Sequence, residues 1–111
     1  RYQLDARQAN RLVRLYGAEA PAVLGDRPTP LTPSTFTEEV DWAVDVEGAR
    51  TLEDAVYRRL RVAWFLPDEV EQAVDRIAAR MADRLGWDAA TTEAEIRAVQ
   101  ARLADELAFR S

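Results

Sequence analysis

Histidine and cysteine are both absent from this 111-residue chain. The commonest general base, the commonest metal ligand and every thiolate are therefore missing. Chemistry has to be sought among carboxylates, arginines, tyrosines and threonines. A hard-cation site built from carboxylates remains conceivable. Two acidic groups invite that test: Glu38, Glu39 and Asp41, and Asp68, Glu69 and Glu71. Neither follows the spacing of a calcium loop. Both fall where a helix is expected to begin, a place where acids complement the positive end of the helix dipole. The neighbouring pairs Glu53/Asp54 and Asp105/Glu106 point to different sides of a helix, which unsuits them to shared acid–base work. The serines, Ser34 and Ser111, lie outside any nucleophile elbow, and the four glycines are too scattered to cradle a phosphate.

The richest stretch is Glu47–Arg61, EGARTLEDAVYRRLR. Glu47 continues the helical face of Val40, Ala43 and Val44, so partial burial is expected, and a buried carboxylate needs a partner. Arg50 follows three residues later. Arg58 stands four residues after Asp54, the favourable acid-before-base order, worth about 0.3–0.5 kcal/mol when exposed. These charges read first as a structural ion-pair network joining two helices. Their sharper reading is that Arg58 or Arg59 reaches a neighbouring domain or an anionic substrate through the bidentate guanidinium fork.

The elements that must position these groups are helical, and no window alternates with the period of a strand. A first helix is expected over about Asp5–Tyr16, with Asp5 and Gln8 as a capping box, an apolar stripe of Ala9, Leu12, Val13 and Tyr16, and Gly17 as its stop. A short turn around Ala20–Leu24 precedes the proline-rich connection Gly25–Pro33, read as an ordered extended loop within one domain. Thr35 with Glu38 is expected to cap the next helix, which Gly48 ends. Thr51 with Asp54 opens another, burying Leu52, Ala55, Val56, Leu60, Ala63 and Trp64. Pro67 suits a first helical turn, followed by a stripe of Val70, Val74, Ile77, Met81 and Leu85 and a stop at Gly86 where Trp87 folds back. Asp88 caps a last helix to about Phe109, with Ile96, Val99, Leu103 and Leu107 inward. Trp42, Trp64 and Trp87 read mainly as core, although Trp42 is offset from its helix's inward stripe and marks a candidate docking surface.

A hydrophobic content of 48% fits a folded protein, and no apolar run approaches the length of a membrane span. The net charge of −5 repels nucleic acid and anionic lipid on average. The expectation is an all-α domain over residues 1–111, a small orthogonal or irregular bundle of about five to six helices. Its first residue, Arg1, is read as the start of a piece of a larger protein.

Four runs then stand in a fixed order: RLVRLYG (Arg11–Gly17), EEVDWAV (Glu38–Val44), EGARTLEDAVYRRLR (Glu47–Arg61) and LGWD (Leu85–Asp88). Together they resemble the C-terminal domain of aerobic, FAD-dependent glycerol-3-phosphate dehydrogenases and the related alpha-glycerophosphate oxidases. The most specific element is the pattern in which Glu47, Arg50, Thr51, Asp54, Arg58 and Arg59 match. The resemblance implies a non-catalytic helical cap with no catalytic, cofactor-binding or metal residue of its own, those six residues being structural or docking residues. It implies a parent enzyme that oxidises sn-glycerol 3-phosphate to dihydroxyacetone phosphate with FAD and passes electrons to quinone. The implied partner is the N-terminal flavin domain of the same chain, in a parent that is cytoplasmic, peripheral on the inner face of the membrane and able to form homo-oligomers. The alternative is a free-standing helical interaction or regulatory module, which accounts for the helices and acidity but not for the ordered runs. An enzyme in its own right ranks last.

Overall fold

In the computed structural model, which describes residues 4–31, 35–60 and 67–110, five α-helices form an all-α bundle. They are α1 (Ala6–Tyr16), α2 (Ala20–Leu24), α3 (Thr37–Asp45), α4 (Pro67–Leu85) and α5 (Ala89–Arg110). A short 3₁₀ turn, Gly17–Glu19, joins α1 to α2, and a π-helical segment, Asp54–Arg59, lies between α3 and α4. Helix α4 is the centre. It packs against α3 on one side and α5 on the other, while α1, α2 and α3 meet one another in a second layer. Among the described residues no helix is long and apolar enough to cross a membrane.

The local signals place several ends as expected. Asp5 Oδ1 accepts from the Gln8 N–H at 2.7 Å, and Gln8 Oε1 accepts from the Asp5 N–H at 3.0 Å. Asp88 Oδ1 accepts from the Thr91 N–H at 2.7 Å and starts α5. At the end of α4, Gly86 adopts φ +72°. Its N–H and that of Trp87 both reach the Ala82 carbonyl, at 2.8 and 3.2 Å, and Trp87 packs half-buried on the core.

Two cores result. The larger gathers Val40 and Val44 of α3, Leu52, Val56, Tyr57 and Leu60, the α4 stripe of Val70, Val74, Ile77 and Met81, and Val99 with Leu103 of α5. The smaller comprises Leu12, Tyr16, Val23, Leu24 and Phe36. Helix α5 is attached by a narrow seam, since Val99 and Leu103 are its buried hydrophobics among the described side chains. Ala63, Trp64 and the side chain of Leu107, all expected inward, lie outside the described residues.

Two expectations need correction. Helix α3 starts at Thr37, not at a Thr35 cap. Residues on either side of the proline loop hold each other in an isolated antiparallel bridge: Leu31 N–H donates to the Thr35 carbonyl at 2.9 Å and Thr37 N–H to the Thr29 carbonyl at 2.8 Å. That extended backbone delays the helix. The reciprocal carboxylate is then Glu39, which accepts from the Phe36 N–H at 2.8 Å. Glu38 turns instead to the Thr29 N–H at 2.7 Å and hydroxyl at 3.2 Å. Secondly, Val13 is 63% exposed, because α1 turns Gln8, Leu12 and Tyr16 towards its neighbours. Trp42 is half-buried against the smaller core, in keeping with its main reading.

Candidate functional site

The runs of sequence that stood out meet at two places. The first is a buried polar junction. Glu39, wholly buried, sits on α3 among apolar residues, and its carboxylate is fully engaged. Arg11 of α1 approaches it at 2.8 Å, the Tyr16 hydroxyl donates to it at 2.9 Å, and the Phe36 N–H completes the set. A buried charge of this kind persists only when paired and hydrogen-bonded. Arg11 also donates to the Leu60 carbonyl at 3.3 Å, so one guanidinium ties α1, α3 and the end of the π-helical segment. Burial and the adjacent Glu39 carboxylate push the Tyr16 hydroxyl far above the ordinary phenol range, which fixes it as a donor. This junction went unread in the sequence. Its signal was a glutamate one residue before Val40, on the inward side of an otherwise apolar stripe.

The second place is an open cleft of about 540 Å³ at the Gly48–Arg59 segment. Five of the six pattern residues line it: Arg50, Thr51, Asp54, Arg58 and Arg59. Gly48, Glu53, Tyr57 and Arg102 complete its lining. Gly48 turns the chain here with φ +79°, a backbone state that L side chains rarely adopt, and the Ala49 N–H closes the turn on the Ala43 carbonyl at 2.8 Å. Two caps then start the next segment. Thr51 Oγ1 accepts from the Asp54 N–H at 3.0 Å, and Glu95, reaching over from α5, accepts from the Leu52 N–H at 2.7 Å.

The π-helical pitch decides the pairing of charges. The Leu60 N–H bonds to the Ala55 carbonyl, five residues back, at 2.7 Å. Neighbours up the segment are then five apart rather than four. Asp54 accordingly holds Arg59 at 3.3 Å, while Arg58 comes no nearer than 3.9 Å and stays 81% exposed. The Asp54 pairs thus stay within one segment, whereas Glu53 of the same stretch pairs with α5. Further pairs join other elements. Arg80 grips Asp41 with two bonds of 2.6 and 2.7 Å, and Arg84 holds Asp45 one turn further along the α3–α4 seam. Arg102 of α5 meets Glu53 at 3.0 Å and lies 3.7 Å above the Tyr57 ring. Burial, with Glu106 beside it, raises the Tyr57 hydroxyl to about 12.

Glu47 stands apart from these lining residues. Its Oε1 is buried and has no hydrogen-bond partner among the described residues. Burial raises its pKa against the pull of Arg59. Arg50 does not pair with it; that guanidinium donates instead to the carbonyls of Val44 at 3.2 Å and Ala49 at 3.0 Å.

For chemistry, the cleft offers guanidinium forks, a threonine hydroxyl, a phenol kept protonated and the ion-paired carboxylates of Glu53 and Asp54. Among the described residues no group of carboxylates is arranged to hold a metal ion. The acids at the start of α3 go to separate partners: Glu38 to Thr29, Glu39 to Arg11 and Tyr16, Asp41 to Arg80.

The sequence model of one protein family, described as the C-terminal domain of alpha-glycerophosphate oxidase, matches residues 1–92. A protein of Mycobacterium leprae (strain TN) named glycerol-3-phosphate dehydrogenase is 34% identical over 90 residues, which cover 81% of this chain and 15% of that protein. The chain thus spans a small part of that relative's length. No solved structure matches.

Proposed function

The chain belongs to the family of the C-terminal domain of alpha-glycerophosphate oxidase, and from that premise we propose that it serves as the helical cap of a glycerol-3-phosphate-oxidising flavoenzyme. In this reading the parent protein oxidises sn-glycerol 3-phosphate to dihydroxyacetone phosphate with FAD and hands electrons to quinone, while this domain docks on the flavin domain without catalysing the reaction. The parent is a cytoplasmic protein held at the inner face of the membrane by other segments.

The observation that carries the proposal is the family match over residues 1–92, together with what the matched runs do. Arg11 and Tyr16 of the first run meet Glu39 of the second, and Arg11 touches the end of the third at Leu60. Their polar groups hold the domain together, as expected of an architectural part. The cleft among the described residues is open and lined by charged side chains, a poor match for the flat apolar face of an isoalloxazine. FAD therefore belongs, in this proposal, to the adjoining domain.

The test is direct. The purified 111-residue chain is expected to be colourless and inert towards glycerol 3-phosphate. The longer protein that carries it is expected to be yellow and active. Removing this domain from that protein should lower its stability or flavin retention. A chain that bound flavin stoichiometrically, or a truncated protein with undiminished stability and flavin content, would sink the proposal.

A further inference from the structure

We propose that the π-helical segment Asp54–Arg59 is a proton-operated register switch, in which ionisation of Glu47 draws Arg59 off Asp54 and hands Asp54 to Arg58. The segment begins in α-helical pitch, with the Ala55 N–H on the Thr51 carbonyl four residues back at 3.1 Å. It ends in π pitch, with the Leu60 N–H on the Ala55 carbonyl five residues back at 2.7 Å. One extra residue is thus held within the turn, a rare arrangement that concentrates at functional sites. Asp54 already touches both arginines, Arg59 at 3.3 Å through Oδ2 and Arg58 at 3.9 Å through Oδ1. Ordinary helical spacing favours Arg58, four residues on; the extra residue gives the closer contact to Arg59. Two pairings of one carboxylate therefore lie a short movement apart.

Glu47 is placed to choose between them. Its Oε1 is buried and unpartnered among the described residues, which a neutral carboxyl tolerates far better than a carboxylate. The groups that face it come from three elements: Arg59 and Asp54 from the π-helical segment, Glu19 from the 3₁₀ turn and Tyr16 from α1. Glu19 and Asp54 repel a carboxylate. The Tyr16 hydroxyl is committed to Glu39 at 2.9 Å, and the nearby Arg50 to the Val44 and Ala49 carbonyls at 3.2 and 3.0 Å. Arg59 is the cation whose pull already opposes the burial of Glu47. Once Glu47 loses its proton, its charge needs a guanidinium, and Arg59 is drawn from Asp54 to supply it. Asp54 then closes on Arg58, and the turn returns to α-helical pitch with the Leu60 N–H on the Val56 carbonyl. Neither Glu47 nor Asp54 is left as an uncompensated charge in either arrangement. The outward consequence falls on Arg58, 81% exposed while Arg59 holds Asp54. Its guanidinium is displayed at the cleft when Glu47 is protonated and withdrawn onto Asp54 when Glu47 is charged.

The experiment is NMR of the 111-residue chain between about pH 4.5 and 8, with the Glu47 carboxyl carbon reporting its ionisation. Trans-hydrogen-bond couplings identify the acceptor of the Leu60 N–H, and the Nε–H signals of Arg58 and Arg59 report their pairing. As Glu47 ionises, the Leu60 coupling is expected to pass from the Ala55 to the Val56 carbonyl carbon, and both arginine signals to shift with the Glu47 midpoint. Glu47→Gln should hold the Ala55 coupling at every pH. Arg59→Gln, which removes the cation, should raise the Glu47 midpoint and leave Arg58 unresponsive to it. Circular dichroism checks the fold of both variants; should Glu47→Gln not fold, the couplings of the unaltered chain and Arg59→Gln still decide the matter. A Leu60 coupling that stays on Ala55 while Glu47 ionises overturns the proposal. So does a shift of Arg59 alone, the response of a fixed structure to a nearby charge. A change of acceptor that persists in Glu47→Gln, or an Arg58 response that survives Arg59→Gln, overturns it as well, by assigning the transition to another group.

Discussion

The guanidinium of Arg11 lies 2.8 Å from the wholly buried carboxylate of Glu39, across 28 positions of sequence. That contact joins the two layers of the domain at a point where no hydrophobic side chain could satisfy the Phe36 N–H and the Tyr16 hydroxyl as well. The junction is therefore the most sensitive place in the smaller core. Replacing Arg11 by Met keeps the apolar stem and removes the charge, leaving Glu39 uncompensated. Urea denaturation is expected to show a loss of about 3–5 kcal/mol. Adding Glu39→Gln to that variant should recover part of the loss, because the stranded charge is gone. A loss below about 1 kcal/mol for Arg11→Met would mean that the buried pair is not what holds the layers together.

The arginines of the α3–α4 seam and of the cleft should behave differently. Arg80 makes a two-bond fork with Asp41 and is one-third exposed. Arg80→Ala is expected to lower stability by about 1 kcal/mol, near the top of the range for partly exposed pairs. Arg58→Ala is expected to change it by less than about 0.5 kcal/mol, as for surface positions without a fixed partner. Thermal melts of the two variants side by side decide the matter. Equal losses would contradict the pairing given by the π-helical pitch.

Glu47 supplies a pH dependence. Burial, the largest influence on it, raises its folded-state pKa above the ordinary glutamate value. A raised folded pKa gives stability that is fully present below the unfolded pKa and is lost as pH rises through the folded one. Glu47→Gln keeps the shape and removes the ionisation. The variant should therefore gain on the parent chain as the pH is raised from about 4 towards neutrality, and the difference should be smallest at acid pH. Denaturant midpoints measured across that range check this. A difference that shrank with rising pH would show that Glu47 is stabilised as the carboxylate, against the unpartnered burial of its Oε1.

The sequence by itself determined what depends on short-range rules. The Asp5–Gln8 box, the Asp88 cap, the glycine stop at Gly86 and the helical stripe from Val70 to Met81 each involve residues within a few positions of one another, so their geometry follows from backbone hydrogen bonding and the helical repeat. The ordered runs likewise pointed to the family. What the tertiary structure alone decided are the contacts between residues far apart and the small rotations that tertiary packing imposes. The bridge at Pro30 and Phe36 moved the start of α3 by two residues and handed the capping role from Glu38 to Glu39. Packing turned Val13 outward. The widened π-helical turn exchanged Arg58 for Arg59 beside Asp54. Arg102, 49 positions from Glu53, came to the cleft because α5 folds back along α4. A periodicity of 3.6 residues carries no information about a turn of five or about which distant charge will face it; those follow from how whole helices pack.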